Sequence, residues 1–276
     1  MGIRIIVDST ADLTPQVRER VAVVPLTVHF GEEEFVDGVD ITSAEFYEKL
    51  AVTKVLPTTS QATPFAFSAA FGQAVADGDE VVAIVISSKL SGTYQSAVIA
   101  AEDYPDKVFV VDTRNIALGS AILTDYALRL VDEGRSAREI AAMVDEAKER
   151  LRLIAVVDTL EYLQRGGRLS KTAAIAGGLL SIKPIIALVD GEIKVLAKGR
   201  GNKQANQLMN QEVAKSGIDA SMPCMLGYTG TSDELLCKYR ADCGDLWAAD
   251  VPVSLVSGVV GTHAGPGAVA VAFFAK

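Results

Sequence analysis

Histidine is almost missing from this chain, which has two in 276 residues; tryptophan occurs once and cysteine three times. Two distant imidazoles without an H-E-x-x-H pair make a poor zinc site. Cys224, Cys237 and Cys243 show no C-x-x-C spacing and have no histidine near them in sequence, so no metal centre is expected. An odd, low cysteine count suits reduced thiols in a cytoplasmic protein better than a disulfide framework. Several nucleotide and hydrolase signatures are also missing. There is no G-x-x-x-x-G-K-[ST], no G-x-G-x-x-G behind a strand and no G-x-S-x-G elbow. Positive charge is scarce: 26 Lys and Arg stand against 35 Asp and Glu, a net charge of −9. No basic run relieves that deficit, which argues against nucleic acid as a partner. Long apolar runs are lacking too. AVAVAFFA (268–275) has the length of a strand, so no membrane span is expected. The N-terminal segment turns polar at Asp8, too early for a signal peptide.

What is abundant is hydrophobic side chain, 49% of residues, with a mean hydropathy of +0.27. In a chain without a span, that excess must fill cores or line an apolar pocket. Four near-continuous apolar runs have strand length: RIIVDST (4–10), EVVAIVISS (80–88), KVFVVDT (107–113) and LIAVVDT (153–159). Runs buried on both faces favour a parallel sheet with helices between its strands. Helix starts are marked by capping boxes at Thr42–Glu45, Ser136–Glu139 and Thr231–Glu234, and by Thr14 ahead of Pro15. The second half differs in pattern. Asp190-Gly191 between two apolar runs predicts a hairpin. A helix over 203–215, a strand at CMLGYTG, another helix and two strands follow. The expected fold is α/β with two domains. Residues 1–155 form a mostly parallel, Rossmann-like sheet, and residues 156–276 an α+β domain with a mixed or antiparallel sheet.

In open α/β sheets, ligands collect where strands end, so polar loops in those places are the candidate site. They are VDSTADL (7–13), PTTSQATP (57–64), ISSKLSGTYQSA (86–97) and the glycine-rich loop GVVGTHAGPGA (258–268). Ser91 would stand at a helix start, where free N–H groups favour an anion. His263 is either a satisfied structural residue or a donor aimed at something acidic. His29, in LTVHFGEEEF, reads as a strand-surface or packing residue.

Six of these segments, in order along the chain, resemble one family. VDSTADL, TSQ at 59–61, SSKLSGTYQSA at 87–97, LEYLQRGGRLS at 160–170, LLSIKPII at 179–186 and GTHAGPGA at 261–268 are similar to the motifs of the DegV family. These are bacterial fatty-acid-binding proteins, among them the acyl-carrying subunit of a fatty acid kinase. The resemblance implies a non-enzymatic carrier with no cofactor, holding one long-chain fatty acid and offering its carboxylate to a separate kinase catalytic subunit for acyl-phosphate formation. It implies that Thr59, Ser91 and His263 hold the carboxylate. It also implies that Arg168 and Arg200 lie on the surface nearby, where the kinase docks. Two hydroxyls and an imidazole N–H are a sufficient donor set for a carboxylate, so no arginine or lysine is expected to be required in the pocket. One departure is visible: Ala62 stands where the family has a proline directly after TSQ, with Pro64 retained. Ile175, Ile182, Ile185 and Ile186 are candidate tunnel residues, with Gly177 and Gly178 letting a tail pass close to backbone. Two rival readings stay open: a lipid-ester hydrolase using Ser91 and His263, with Asp8 or Asp112 orienting the ring, and a binder of small anions.

Overall fold

β-branched residues dominate the first run, and Ile5, Ile6 and Val7 of β1 (Ile3–Asp8) are shielded from solvent on both faces. In the computed structural model, which describes residues 2–169 and 181–276, this strand lies inside a parallel sheet. From β1 the chain passes through α1 (Pro15–Arg18) to β2 (Ala22–Val24). A small antiparallel unit follows: β3 (Thr27–Phe30), β4 (Glu33–Val36), then α2 (Ser43–Val52) and β5 (Thr58–Ser60). The parallel pattern resumes with α3 (Pro64–Ala76), β6 (Glu80–Val85), α4 (Thr93–Ala101) and β7 (Val108–Asp112). The main sheet of this half has the order β2-β1-β6-β7, all parallel.

Two helices, α5 (Ala117–Asp132) and α6 (Ala137–Ala147), lead into the second half. There β8 (Leu151–Val156), α7 (Glu161–Arg165), β9 (Ile182–Val189), β10 (Glu192–Arg200) and α8 (Gly201–Ser216) are followed by β11 (Met225–Tyr228), α9 (Glu234–Cys243), β12 (Val253–Leu255), α10 (Gly258–Ala264) and β13 (Val269–Phe274). The sheet order is β10-β9-β8-β13-β11-β12, antiparallel except for the pair β11–β12. The LIAVVDT run, expected among the parallel strands, is β8 and runs antiparallel to both neighbours. Its continuous apolar character reports burial on two faces, and that burial is blind to strand direction. One face packs under α8 and α9, with Ile154, Val156 and Ile185 beside Met209 and Tyr239. The other face turns toward α5 and the first sheet.

Helix α5 joins the two sheets. It is apolar nearly all round and buried along most of its length, as suits a helix with a sheet on either side. Leu118 and Ile122 pack in one cluster with Val82 and Ile84 of the first sheet and with Leu153 and Phe274 of the second. The capping boxes form as expected at α2 and α6, and Thr14 caps α1 ahead of Pro15. The third expected box does not form. Helix α9 starts later, with Asp233 in the N-cap position, and Ser232 Oγ accepts from Glu234 N–H instead. Asp190 and Gly191 make the β9–β10 turn, with φ of 51° and 80°, the left-handed pair that a two-residue hairpin requires.

Candidate functional site

The segment GVVGTHA is a short helix, α10, rather than the loop its glycines suggest. Those glycines serve close packing. A Cβ on Gly261 would stand 2.5 Å from the Tyr47 hydroxyl and 2.8 Å from the Phe46 ring, and one on Gly258 would stand 3.0 Å from Phe46. The i, i+3 spacing puts both glycines on one face, so α10 lies flat on α2. The helix ends at Gly265, with φ of 71°, followed by Pro266, a common stop. His263, near the end of α10, points away from α2. Its ring meets Gly166, where a Cβ would be only 2.1 Å from Nδ1.

The imidazole reaches across 204 positions of sequence. His263 Nε2 and Thr59 Oγ1 share a hydrogen bond of 2.9 Å. Thr59 is presented by β5, opposite Val28 of β3. Burial pushes the His263 pKa down to about 4, with the charge of Arg168 adding to the shift, so the ring is neutral at neutral pH. Its Nδ1 makes no hydrogen bond among the described residues. Ser91 lies just ahead of α4. Its Oγ accepts from Thr93 N–H at 3.2 Å and pairs with Thr93 Oγ1 at 2.9 Å. Gln61 comes so close that a Cβ on Gly92 would overlap its Oε1, and its Nε2 donates to Ser96 Oγ.

These groups line one end of a single cavity of about 400 Å³, a volume within the ordinary range for small-molecule sites. Thr59, Ser91 and His263 all face it, and so do Gln61 and Arg168. Ser60, Gln61 and Gly92 are exposed, so the polar end meets solvent. The rest is apolar but for Thr229. Leu26, Ile86, Val259 and Val260 form one wall, and Ala155, Ile186 and Ala270 of the second sheet, with Ala268 just ahead of β13, form the other.

Arg168 differs from its expected place. It is half-buried in the cavity wall, with Nε donating to Leu90 O at 3.1 Å and Nη1 to Gly166 O at 2.6 Å. Two backbone carbonyls compensate the guanidinium for lost water, and burial lowers its pKa. Arg200 is exposed at the end of β10, outside the cavity lining, with its backbone N–H bonded to Gln204. Of the tunnel candidates, Ile186 lines the cavity. Ile185 faces the opposite core beneath α8, and Ile182 is half-buried outside the lining. Ile175, Gly177 and Gly178 lie outside the described residues. His29 sits on β3 and bonds Ser60 Oγ at 2.8 Å. Asp8 accepts from Thr10 and from Ile86 N–H, and Asp112 accepts from the N–H groups of Ser88 and Arg114. Neither carboxylate therefore orients His263. The cysteines are unpaired, and among the described residues no cluster of His, Cys, Asp or Glu could hold a metal ion.

Sequence reasoning missed Gln61 and the cavity role of Ala155 and Ala270. The signal was present in the alternation of alanine and valine over 268–272, which marks one strand face as unusually small.

Residues 2–276 match a family model described as an uncharacterised protein of the DegV family. A DegV domain-containing protein of Caldanaerobacter subterraneus subsp. tengcongensis is 41% identical, with 99% of each chain covered. Among solved structures, a DegV family protein from Thermus thermophilus, described for its fatty acid binding, aligns with a TM-score of 0.88 at 30% identity over 100% of both chains. A stearic-acid-binding protein from Eubacterium ventriosum aligns at 0.85 and 28% identity, covering 100% of this chain and 99% of its own.

Proposed function

This chain belongs to the DegV family, and from that membership we propose that it carries one long-chain fatty acid in the cavity described above. The Thermus and Eubacterium proteins, alike in fold over the whole chain, are described as fatty-acid binders. The observation that carries the reading is the cavity's polarity. Two hydroxyls and a neutral imidazole stand with Gln61 and Arg168 at the solvent end of a pocket that is otherwise largely apolar and lies between the two sheets.

A carboxylate leaving water needs several donors. A neutral imidazole has one N–H. If His263 Nε2–H donates to Thr59 Oγ1, the Thr59 hydroxyl proton is left to point at the ligand. Ser91 supplies a second hydroxyl beside the start of α4, whose dipole favours negative charge. The tail supplies the affinity. At roughly 0.8 kcal/mol per buried methylene, about fifteen methylenes give on the order of 12 kcal/mol before ordering costs of several kcal/mol.

The finer part of the proposal is presentation. The carboxylate would lie at the exposed end, where a separate ATP-dependent kinase subunit reaches it and forms the acyl phosphate. Arg168, in the wall beside His263, and Arg200, on the surface, are the proposed contacts for that partner. The hydrolase reading lacks a starting geometry, because Ser91 bonds Thr93 while His263 bonds Thr59. A nucleophile needs its base within hydrogen-bond reach.

Organic extraction of the purified chain followed by mass spectrometry tests the proposal. One fatty acid per chain is expected, and failure to bind any offered fatty acid would overturn it.

A further inference from the structure

The cavity has a second neighbour at its far end. From Val157, just past the end of β8, the residues Ala155 and Leu153 of the strand face the cavity in turn, leading away from His263. The strand register carries the same rows across the sheet. Ala155 stands opposite Ile186 on one side and Ala270 on the other. Ile154 opposite Ala187 brings Leu153 beside Leu188 in the next row. Ala155 and Ala270 are only half-buried although they sit mid-sheet, because the cavity lies directly over them. Leu153 and Leu188 are the last row that lines it.

A separate cavity of about 390 Å³ begins on the other side of that row. It too is lined by Leu153, Ala187 and Leu188, but also by charged side chains of both signs, among them Arg114, Arg152 and Glu149. On the opposite wall Ile116 faces the first cavity and Asn115, its chain neighbour, faces the second. The two spaces thus share a wall made by Leu153, Ala187 and Leu188.

We propose that Leu153 and Leu188 form the stop against which the methyl end of the acyl chain rests, and so set the longest fatty acid this protein accepts. The inference rests on the fatty-acid reading of the cavity. Apolar side chains are the right material for such a stop. They contact the tail end without offering it a polar group, and they keep it from the charged second cavity. Removing them joins the two spaces. Each further methylene brought into apolar surroundings is worth about a fourfold gain in affinity, so a small change in depth alters selection strongly.

The test is competition. The wild type and the Leu153→Ala/Leu188→Ala variant are delipidated and offered an equimolar ladder of saturated fatty acids from lauric to lignoceric acid, and the retained acids are identified by mass spectrometry. The variant is expected to shift its most enriched acid toward longer chains by about two carbons. Ala270→Leu, which fills the middle of the floor instead, is expected to shift it toward shorter ones, and it provides the reading if the double variant fails to fold. Unchanged length preference in a folded, fully loaded variant would overturn the proposal. A wild type that retains no acid from the ladder would instead overturn the fatty-acid reading beneath it.

Discussion

Thr59 does two things with one hydroxyl. It bonds His263 Nε2 at 2.9 Å, and it lines the cavity. Replacing it with valine keeps the shape and removes the polar atom. A hydrogen bond to a charged group contributes about 1.5–3 kcal/mol, so Thr59→Val should weaken fatty acid binding by about ten- to a hundredfold, while Thr59→Ser stays within a few-fold of the wild type. Titration calorimetry with a single fatty acid measures this. Equal affinities for Thr59→Val and the wild type would remove Thr59 from the head-group site. His263 is positioned by sterics as much as by bonding: Gly166 leaves no room for a Cβ beside Nδ1.

At the scale of elements, α10 is the piece on which the site depends. Its glycines would normally weaken a helix, by about 1 kcal/mol each relative to alanine. Here they permit contact with Phe46 and Tyr47, both fully buried and unable to yield. Two opposed effects therefore meet in Gly261→Ala. The gain in helix propensity is about 1 kcal/mol, whereas overpacking a tight core costs about 1–3 kcal/mol. The clash should win. A lower melting temperature, with faster loss of bound fatty acid as α10 lifts away from α2, is the expected outcome. A melting temperature equal to or above the wild type would show that α10 is not held as closely as the structure indicates. The same element explains why His263 was misread as a loop residue. Glycine spacing in sequence marks both loose turns and tight helix contacts, and only the neighbour distinguishes them.

At the scale of the whole molecule, buried carboxylates join the first strands to the last helix. Asp12 Oδ1 accepts from Ser257 N–H at 2.7 Å. Asp37 lies against the start of α10, where the backbone of Gly258 and Val259 and the Ser9 hydroxyl hold its pKa down against burial. Burial raises Asp12 to about 8 and Asp37 to about 6, with Asp8 and Tyr47 close enough to bear on them. Both folded-state values lie above the unfolded ones, so the folded chain holds more protons than the unfolded chain across this range. Stability is then greatest below about pH 4 for these groups and declines as pH rises toward about pH 8. His263 works in the opposite sense. Its folded-state value is depressed, so its contribution is lost as pH falls from about 6.5 toward 4. Urea unfolding across that range should show Asp12→Asn gaining on the wild type as pH rises, because its amide needs no proton to stay neutral. Parallel pH profiles for the two would mean that Asp12 is ionised in the folded chain.

Much of the architecture was legible in the residues themselves. Apolar runs of strand length located β1, β6, β7 and β8, capping residues placed the starts of α1, α2 and α6, and Asp190-Gly191 placed the hairpin. These are local properties, carried by side chains within a few positions of one another, and so they survive without the fold. By residue pattern alone the polar end of the cavity was legible only as separate hydroxyl-rich loops and a lone histidine, and it was the likeness to the DegV motifs that grouped Thr59, Ser91 and His263. Folding alone determined that Thr59 and His263 share a proton, that Arg168 turns inward onto two carbonyls, and that β8 runs antiparallel to its neighbours. The floor of alanines closed by two leucines likewise exists only once β8, β9 and β13 are in register. Each of these is a relation between residues tens to hundreds of positions apart, fixed by packing and strand pairing, and no local pattern encodes the distance across such a gap.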